Sequence, residues 1–219
     1  MGKIAFDPLQ EKIVSAFKKD SFLTKTFYFT GGTALSIFYF GHRFSEDLDF
    51  FTEKPFPRDK VISFVRQTSE TVGFTFTLRQ PEGIDILIFS LDFGHGKTLK
   101  IDFNHYPHAR IEKGPREDGL DVDSLLDIGA NKLLTINQRT DVKDFVDLYF
   151  LFKKFTLWDL LYAVEAKFGM ELEQVMVAAD FLKVEKFDVL PKMLVPLTLN
   201  QLKNFFREKS IEIGKRVTE

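Results

Sequence analysis

The chain has 219 residues, 44% of them hydrophobic and 28% charged, which suits one medium domain, or one domain with a helical extension, around a sizeable core. A net charge of −2 argues against a large, non-specific nucleic-acid-binding surface, though it leaves room for a local basic groove. The absence of cysteine excludes a disulfide scaffold, a thiolate nucleophile and a zinc–cysteine centre.

The opening residues MGKIAFDPLQ carry no basic stretch followed by a long apolar run, so no signal peptide is expected. No apolar run approaches the roughly 18 residues that span a bilayer. A soluble cytoplasmic protein is therefore the expectation. Leu9, Ile13, Val14 and Phe17 recur at helical spacing and predict a helix over 8–18. Residues 27–29 read as a strand, and 33–40 as a helix closed by Gly41. A second strand runs over 48–51 until Pro55 and Pro57 break it. Val61, Ile62, Val65 and Val72 place a helix over 58–73, with Gly73 as its stop. Three β-rich runs follow, 74–79, 84–91 and 98–103, separated by Pro81-Glu82-Gly83 and Gly94-His95-Gly96, which suggests an antiparallel meander. Everything after Asp121 is helical in pattern, apart from breaks near Gly169 and between Pro191 and Pro196. The expectation is an α+β fold, a small mixed sheet covered by helices, with a core over 1–120 and a helical region over 121–219 that packs on the core and completes its site. The 26 phenylalanines, against one Trp and five Tyr, read as a Phe-rich core rather than a surface for stacking bases.

The most informative run is GGTALSIFYFGHRFSEDLDFF, residues 31–51. Gly31 and Gly32 stand where a strand hands over to a helix near Thr33. Glycines there let backbone N–H groups approach phosphate oxygens, and the helix aims its positive end at them. Asp47 and Asp49 are two apart, so on a strand their carboxylates share a face. Two hard oxygen ligands can hold Mg²⁺, which keeps several waters and binds substrate phosphates as well. A third carboxylate is expected for such chemistry. Asp102 is the first choice, because apolar Leu99, Ile101 and Phe103 alternate with Lys100 and Asp102; Asp85 and Asp92 are its rivals. Arg43 and Ser45 lie in the turn before the Asp pair, where they either meet phosphate oxygens or, in the case of Arg43, hold the turn by salt bridges. His42 has the same ambiguity.

The run DIGANKLLTINQRTDVKDFVDLYFL, residues 127–151, is the second. Asp123 or Ser124 can cap a helix that carries Lys132 among Ile128, Leu133 and Leu134 and runs towards Asn137. Lys132 and Arg139 share a face if that helix continues far enough. Thr140 or Asp141 then starts another helix, where Asp144 and Asp147 are i,i+3 neighbours and Lys143 and Asp147 form either an ordinary i,i+4 pair or part of a site. The basic residues from Lys183 to Arg216 alternate with acids and read as a solvated helix face; a surface for an RNA backbone is the sharper alternative.

The first run resembles the glycine-pair and Asp-x-Asp motif of the DNA polymerase beta-type nucleotidyltransferase superfamily. GGTAL with GHRFSEDLDFF, and the later Lys, Arg and Lys-Asp-x-x-Asp, resemble the AbiEii/AbiGii toxin family of nucleotidyltransferases. The resemblance implies a nucleotidyltransferase-like fold and transfer of an NMP from an NTP with release of pyrophosphate. It implies Asp47, Asp49 and Asp102 at Mg²⁺, Gly31, Gly32, Thr33, Arg43, Ser45, Arg139 and Lys143 at the nucleotide, and Lys132 and Asp144 among the catalytic residues. As acceptor it implies a tRNA 3′ end or a protein, and as partner a separately encoded antitoxin of a type IV toxin–antitoxin or phage-defence system. A nucleotide-binding module without turnover and an antibiotic-modifying nucleotidyltransferase are the rival readings.

Overall fold

The computed structural model describes residues 5–218, with side chains through residue 215. Residues 1–4, which entered the reading of the N-terminus, and the side chain of Arg216 lie outside the described residues. Helix α1 (Pro8–Lys19) starts in a capping box: the Asp7 carboxylate accepts from the Leu9 and Gln10 amides, and the Gln10 side chain accepts from the Asp7 amide. A single turn, α2 (Leu23–Thr26), precedes β1 (Tyr28–Thr30). The helix after β1 begins at Gly31 rather than near Thr33: α3 (Gly31–Leu35) runs into a π-helical turn over Ser36–Phe40, and Gly41 ends it at φ +60°. Next come β2 (Leu48–Thr52), α4 (Arg58–Val72), and the expected meander of β3 (Thr75–Arg79), β4 (Ile86–Asp92) and β5 (Thr98–His105).

A hairpin of β6 (Lys113–Glu117) and β7 (Leu120–Asp123) follows, and it corrects the reading that everything after Asp121 is helical. Strand β7 continues to Asp123 and joins β1 in parallel, so the expected division between residues 120 and 121 falls inside a strand of the sheet. Gly114 makes the hairpin feasible: a Cβ there would stand 2.1 Å from the Val122 carbonyl oxygen. The remaining helices among the described residues are α5 (Leu125–Gln138), α6 (Val142–Leu151), α7 (Leu157–Phe168), α8 (Gln174–Phe181), a 3₁₀ turn over Leu182–Lys186, and α9 (Leu199–Thr218).

Among the described residues seven strands form one mixed sheet in the order β3-β4-β5-β2-β1-β7-β6. Along β2 burial alternates, Leu48, Phe50 and Thr52 facing the core and Asp49 and Phe51 the other way. The core side is a phenylalanine ladder. Phe50 stacks on Phe17 of α1 at 4.2 Å and on Phe103 of β5 at 5.3 Å, and Phe27 meets Phe103 edge-on. The other face of β2 and β5 lies under α5. Helix α5 is fixed by a close approach to α7, where a Cβ on Gly129 would come within 2.8 Å of Leu160, and by the fully buried ion pair of Asp127 with Lys167 at 2.7 Å. No helix among the described residues is long and apolar enough to cross a membrane.

Two glycines separate backbone packing from helix propensity. Gly114→Ala forces its methyl onto backbone that cannot yield, and is expected to destabilise by about 1–3 kcal/mol. Gly214→Ala, in α9 with nothing within 4 Å of the added carbon, is expected to stabilise by about 0.5–1 kcal/mol. Urea denaturation of both variants checks the hairpin; equal effects would contradict it.

Candidate active site

Strand pairing sets the three carboxylates. Asp49 lies opposite Thr30 on the antiparallel β1 and directly beside Asp102 on the parallel β5. Asp47 precedes β2, its backbone carbonyl accepting a hydrogen bond from the buried Thr33 hydroxyl. The rivals for the third carboxylate are occupied elsewhere. Asp85 pairs with Arg58 at 2.7 Å and His105 at 3.3 Å, and Asp92 accepts from the Gly94 amide to close a turn. Gly31 is required at its position twice over: its φ is +78°, and a Cβ would fall 2.2 Å from Asp49 Oδ2.

These groups floor a cleft of about 410 Å³. Asp47, Asp49, Lys100 and Asp102 form its charged end, followed along the strands by Phe51, Asn104 and Tyr106. Helix α5 roofs it with Ile128, Asn131, Lys132, Thr135 and Gln138, and Arg139 follows at the helix end. Lys100 Nζ stands 2.7 Å from Asp102 Oδ2 and 3.7 Å from Asp47 Oδ2. Desolvation, and then the charge of Asp102, push the Asp49 carboxyl up to about 6. Burial also raises Asp102, against the pull of Lys100.

The roof is charged in the opposite sense. Lys132 Nζ lies 2.7 Å from Asp144 Oδ1 and 2.6 Å from Asp147 Oδ2. Arg43, only 2% exposed, makes a two-point contact with Asp147, at 2.6 Å from Nε and 2.8 Å from Nη2. His42 Nε2 adds a contact to Asp147 Oδ1 at 2.8 Å, and Arg139 holds Asp144 from the cleft side at 2.7 Å. Burial pulls His42 below its usual value, and because a carboxylate only accepts, its Nε2 is the donor to Asp147. Burial would raise Asp147, but Lys132 and Arg43 hold it well below the carboxylate range. The cluster therefore counts three cations (Arg43, Lys132, Arg139) against two carboxylates, a net +1, while the floor counts three carboxylates against Lys100, a net −2.

The structure thus brings Gly31, Gly32, Asp47, Asp49, Asp102, Lys132 and Arg139 to one cleft, and it separates the other expected residues from it. Thr33 and Arg43 are buried and engaged with Asp47 and Asp147, so neither hydroxyl nor guanidinium is free for phosphate. Ser45 sits against Gly32, outside the lining, and its carbonyl accepts from Gln10. Asp144 stands behind Lys132, and Lys143 lies outside the lining, its amide bonded to the Asp141 cap. Asp147 pairs with Lys132 rather than with Lys143. Helix α5 stops at Gln138, and Arg139 reaches the cleft from an extended cap. Lys183, Arg207 and Lys209 pair with Asp180, Glu185 and Glu212, as a solvated face does. Sequence reasoning missed Lys100, Asn104, Tyr106 and Asn131. The signal was there for the first three, which continue the alternation through Asp102.

The carboxylates fit a hard cation on two counts. Asp102 Oδ1 is buried without a partner, and Gly31 leaves the space that Asp49 Oδ2 needs. Among the described residues no group of three or more histidines, aspartates or glutamates is arranged to hold a metal ion. A cation held here would take its remaining oxygens from water and phosphate, which is the habit of Mg²⁺.

The family model described as nucleotidyl transferase AbiEii toxin, type IV TA system, matches residues 13–213. An uncharacterized protein of Aquifex aeolicus is 38% identical over 154 residues, covering 68% of this chain and 66% of that relative's length. A Helicobacter pylori structure covers 98% of each chain at 21% identity and a TM-score of 0.60. JHP933 of the same organism covers 95% of this chain and 91% of its own, at 21% identity and 0.59. MenT4, a nucleotidyltransferase toxin from Mycobacterium tuberculosis, covers 93% and 82% at 14% identity and 0.51. At these identities the solved structures share the fold: a mixed sheet with flanking helices.

Asp147→Asn removes a buried charge and leaves Arg43 and Lys132 short of an anion, and is expected to destabilise by about 3–5 kcal/mol. Because the folded carboxyl titrates lower than the unfolded one, near 3.9, its contribution is present above that value and lost as pH falls below about 4. Urea midpoints between pH 3 and 7 check both: the gap between wild type and Asp147→Asn should narrow on acidification.

Proposed function

The chain belongs to the AbiEii family of nucleotidyl transferase toxins, and we propose that it transfers a nucleoside monophosphate from an NTP to an acceptor hydroxyl with release of pyrophosphate. The observation that carries this reading is the charge split across one cleft, a −2 floor of carboxylates on two neighbouring strands facing a +1 roof at Lys132 and Arg139. A metal–triphosphate complex has the same polarity, with the cation on one side and phosphate oxygens on the other. Asp47 and Asp49 would hold Mg²⁺, with Asp102 beside them, and the bound metal supplies a Lewis acid for the phosphate oxygens. Lys132 and Arg139 stabilise the negative charge that grows on the triphosphate as the bond between the α-phosphorus and its bridging oxygen breaks. The acceptor oxygen attacks the α-phosphorus, its proton drawn to Asp102 Oδ1, which no protein donor occupies. Pyrophosphate takes the bonding pair and leaves.

The nucleoside is proposed to lie at the opposite end of the cleft, over Phe51, Asn104 and Tyr106 and beneath Ile128 and Asn131. Asn131 Oδ1 is buried without a partner and would read a donor on the base edge. A tRNA 3′ end or a protein hydroxyl is the proposed acceptor, and a separately encoded antitoxin the proposed partner, in keeping with a family described as type IV TA toxins.

Incubation with each labelled NTP, Mg²⁺ and total RNA plus protein identifies the acceptor by the fraction that takes up label. Asp49→Asn is expected to lose at least about a hundredfold in rate with its melting temperature unchanged within a few degrees. Expressed in a bacterium, the wild type should slow growth and Asp49→Asn should not. Retained Mg²⁺-dependent transfer in that variant would sink the assignment, and nucleotide binding without transfer in the wild type would favour a non-catalytic module. Asn131→Leu should flatten the preference among the four NTPs; an unchanged preference would place the base elsewhere.

A further inference from the structure

Among the described residues Lys100 is the one cation on the cleft floor, and neither sequence motif contains it. Its ammonium bridges Asp102 and Asp47, at 2.7 and 3.7 Å, on the same carboxylates that suit a divalent cation. The side chain is 39% exposed and unbranched, so its head moves while its strand stays fixed. Lys100 and Asp47 also form the wall between the cleft and a second groove, which Asp7, Glu46 and Lys97 line on the far side.

Resting on the reading of the cleft as a metal–NTP site, we propose that Lys100 is a substrate-binding residue that exchanges partners: it neutralises Asp47 and Asp102 in the free protein, yields them to the metal, and moves onto the triphosphate. Three considerations carry it. An ammonium and a dication cannot share two carboxylates at contact distance without mutual repulsion, so the arrival of one displaces the other. A lysine head set loose beside a polyphosphate finds the strongest anion within reach of its stem. The cations of the roof, Lys132 and Arg139, are each bound to Asp144 and cover only one side of the cleft, which leaves the floor side of the phosphates to Lys100. The competing destination is the acidic wall of the second groove, Asp7 and Glu46.

The exchange predicts opposite signs for two ligands, which a purely structural lysine would not give. The full chain and Lys100→Met are titrated calorimetrically with MgCl₂ alone, then with inorganic triphosphate at saturating Mg²⁺; their thermal melts are compared first. Lys100→Gln serves in place of Lys100→Met if the latter does not fold. With the competing ammonium gone, the variant is expected to bind Mg²⁺ alone on the order of tenfold more tightly. With the phosphate contact gone, it should bind triphosphate on the order of tenfold more weakly. Tighter Mg²⁺ with unchanged triphosphate overturns the proposal and sends Lys100 to Asp7 and Glu46. Shifts of the same sign, or no shift, overturn it as well. A wild type that binds neither ligand defeats the reading of the cleft itself, and the proposal with it.

Discussion

The Asp147 carboxylate is the point on which the rest of the site depends. It is fully buried, and it receives His42 and Arg43 from the turn after the π-helical segment and Lys132 from α5. The contacts of His42 and Arg43 join residues more than a hundred positions apart and tie the glycine-pair half of the site to the helical half. A buried ion cluster is weak evidence of net stability, since apolar groups of similar volume often do as well. What the cluster does supply is position. Arg43, pinned to Asp147, packs against Gly32, and the Thr33 hydroxyl close by holds the Asp47 carbonyl. Lys132, shared between two carboxylates, presents its charge to the cleft from one fixed place.

This arrangement reverses the ordinary division between framework and site. The phenylalanine ladder fixes the sheet, because Phe50 and Phe103 leave β2 and β5 no freedom to slip, and a slip by one residue would send Asp49 and Asp102 to the core side. Polar residues then carry the adjustment of charge. Asp49 and Asp102 are raised by their own burial and crowding, a tension that Lys100 relieves in part and a dication would relieve more fully.

How much of this the sequence disclosed depends on the range of the interaction. Alternation placed Asp49 and Asp102 on strands and on one face, and the structure makes them immediate neighbours. The sequence placed Lys132 on a helix, and of Thr140 and Asp141, both open as the start of the next one, the structure uses Asp141 as the cap of α6. Ser45 and Thr33 lie off the cleft because nearness to the Asp pair in sequence says nothing of which side a side chain takes, and of the two readings of Arg43 the structure takes the salt bridge. Arg43 turns away only because Asp147 waits behind it, and that contact has no local signal. The β6–β7 hairpin was invisible for another reason: Lys113-Gly114-Pro115-Arg116-Glu117 has no apolar alternation, and its pairing relies on backbone approach at Gly114 and on a register shift.

The cleft also explains how one helix serves two tasks. Residues Ile128, Asn131, Lys132, Thr135 and Gln138 recur at steps of three and four, so a single face of α5 runs from an apolar and amide end to a cationic one. Beneath it, β5 runs from Lys100 and Asp102 to Asn104 and Tyr106, from charged to neutral, against the chain direction of α5. Arg139, at the end of α5, lines the same cleft as Asp47, Asp49 and Asp102. Two gradients laid parallel in this way give a ligand with a charged head and a planar, neutral tail one orientation only. A sheet that presents its carboxylates in fixed register and a helix locked by Asp127 and Lys167 therefore set the polarity of the cleft itself.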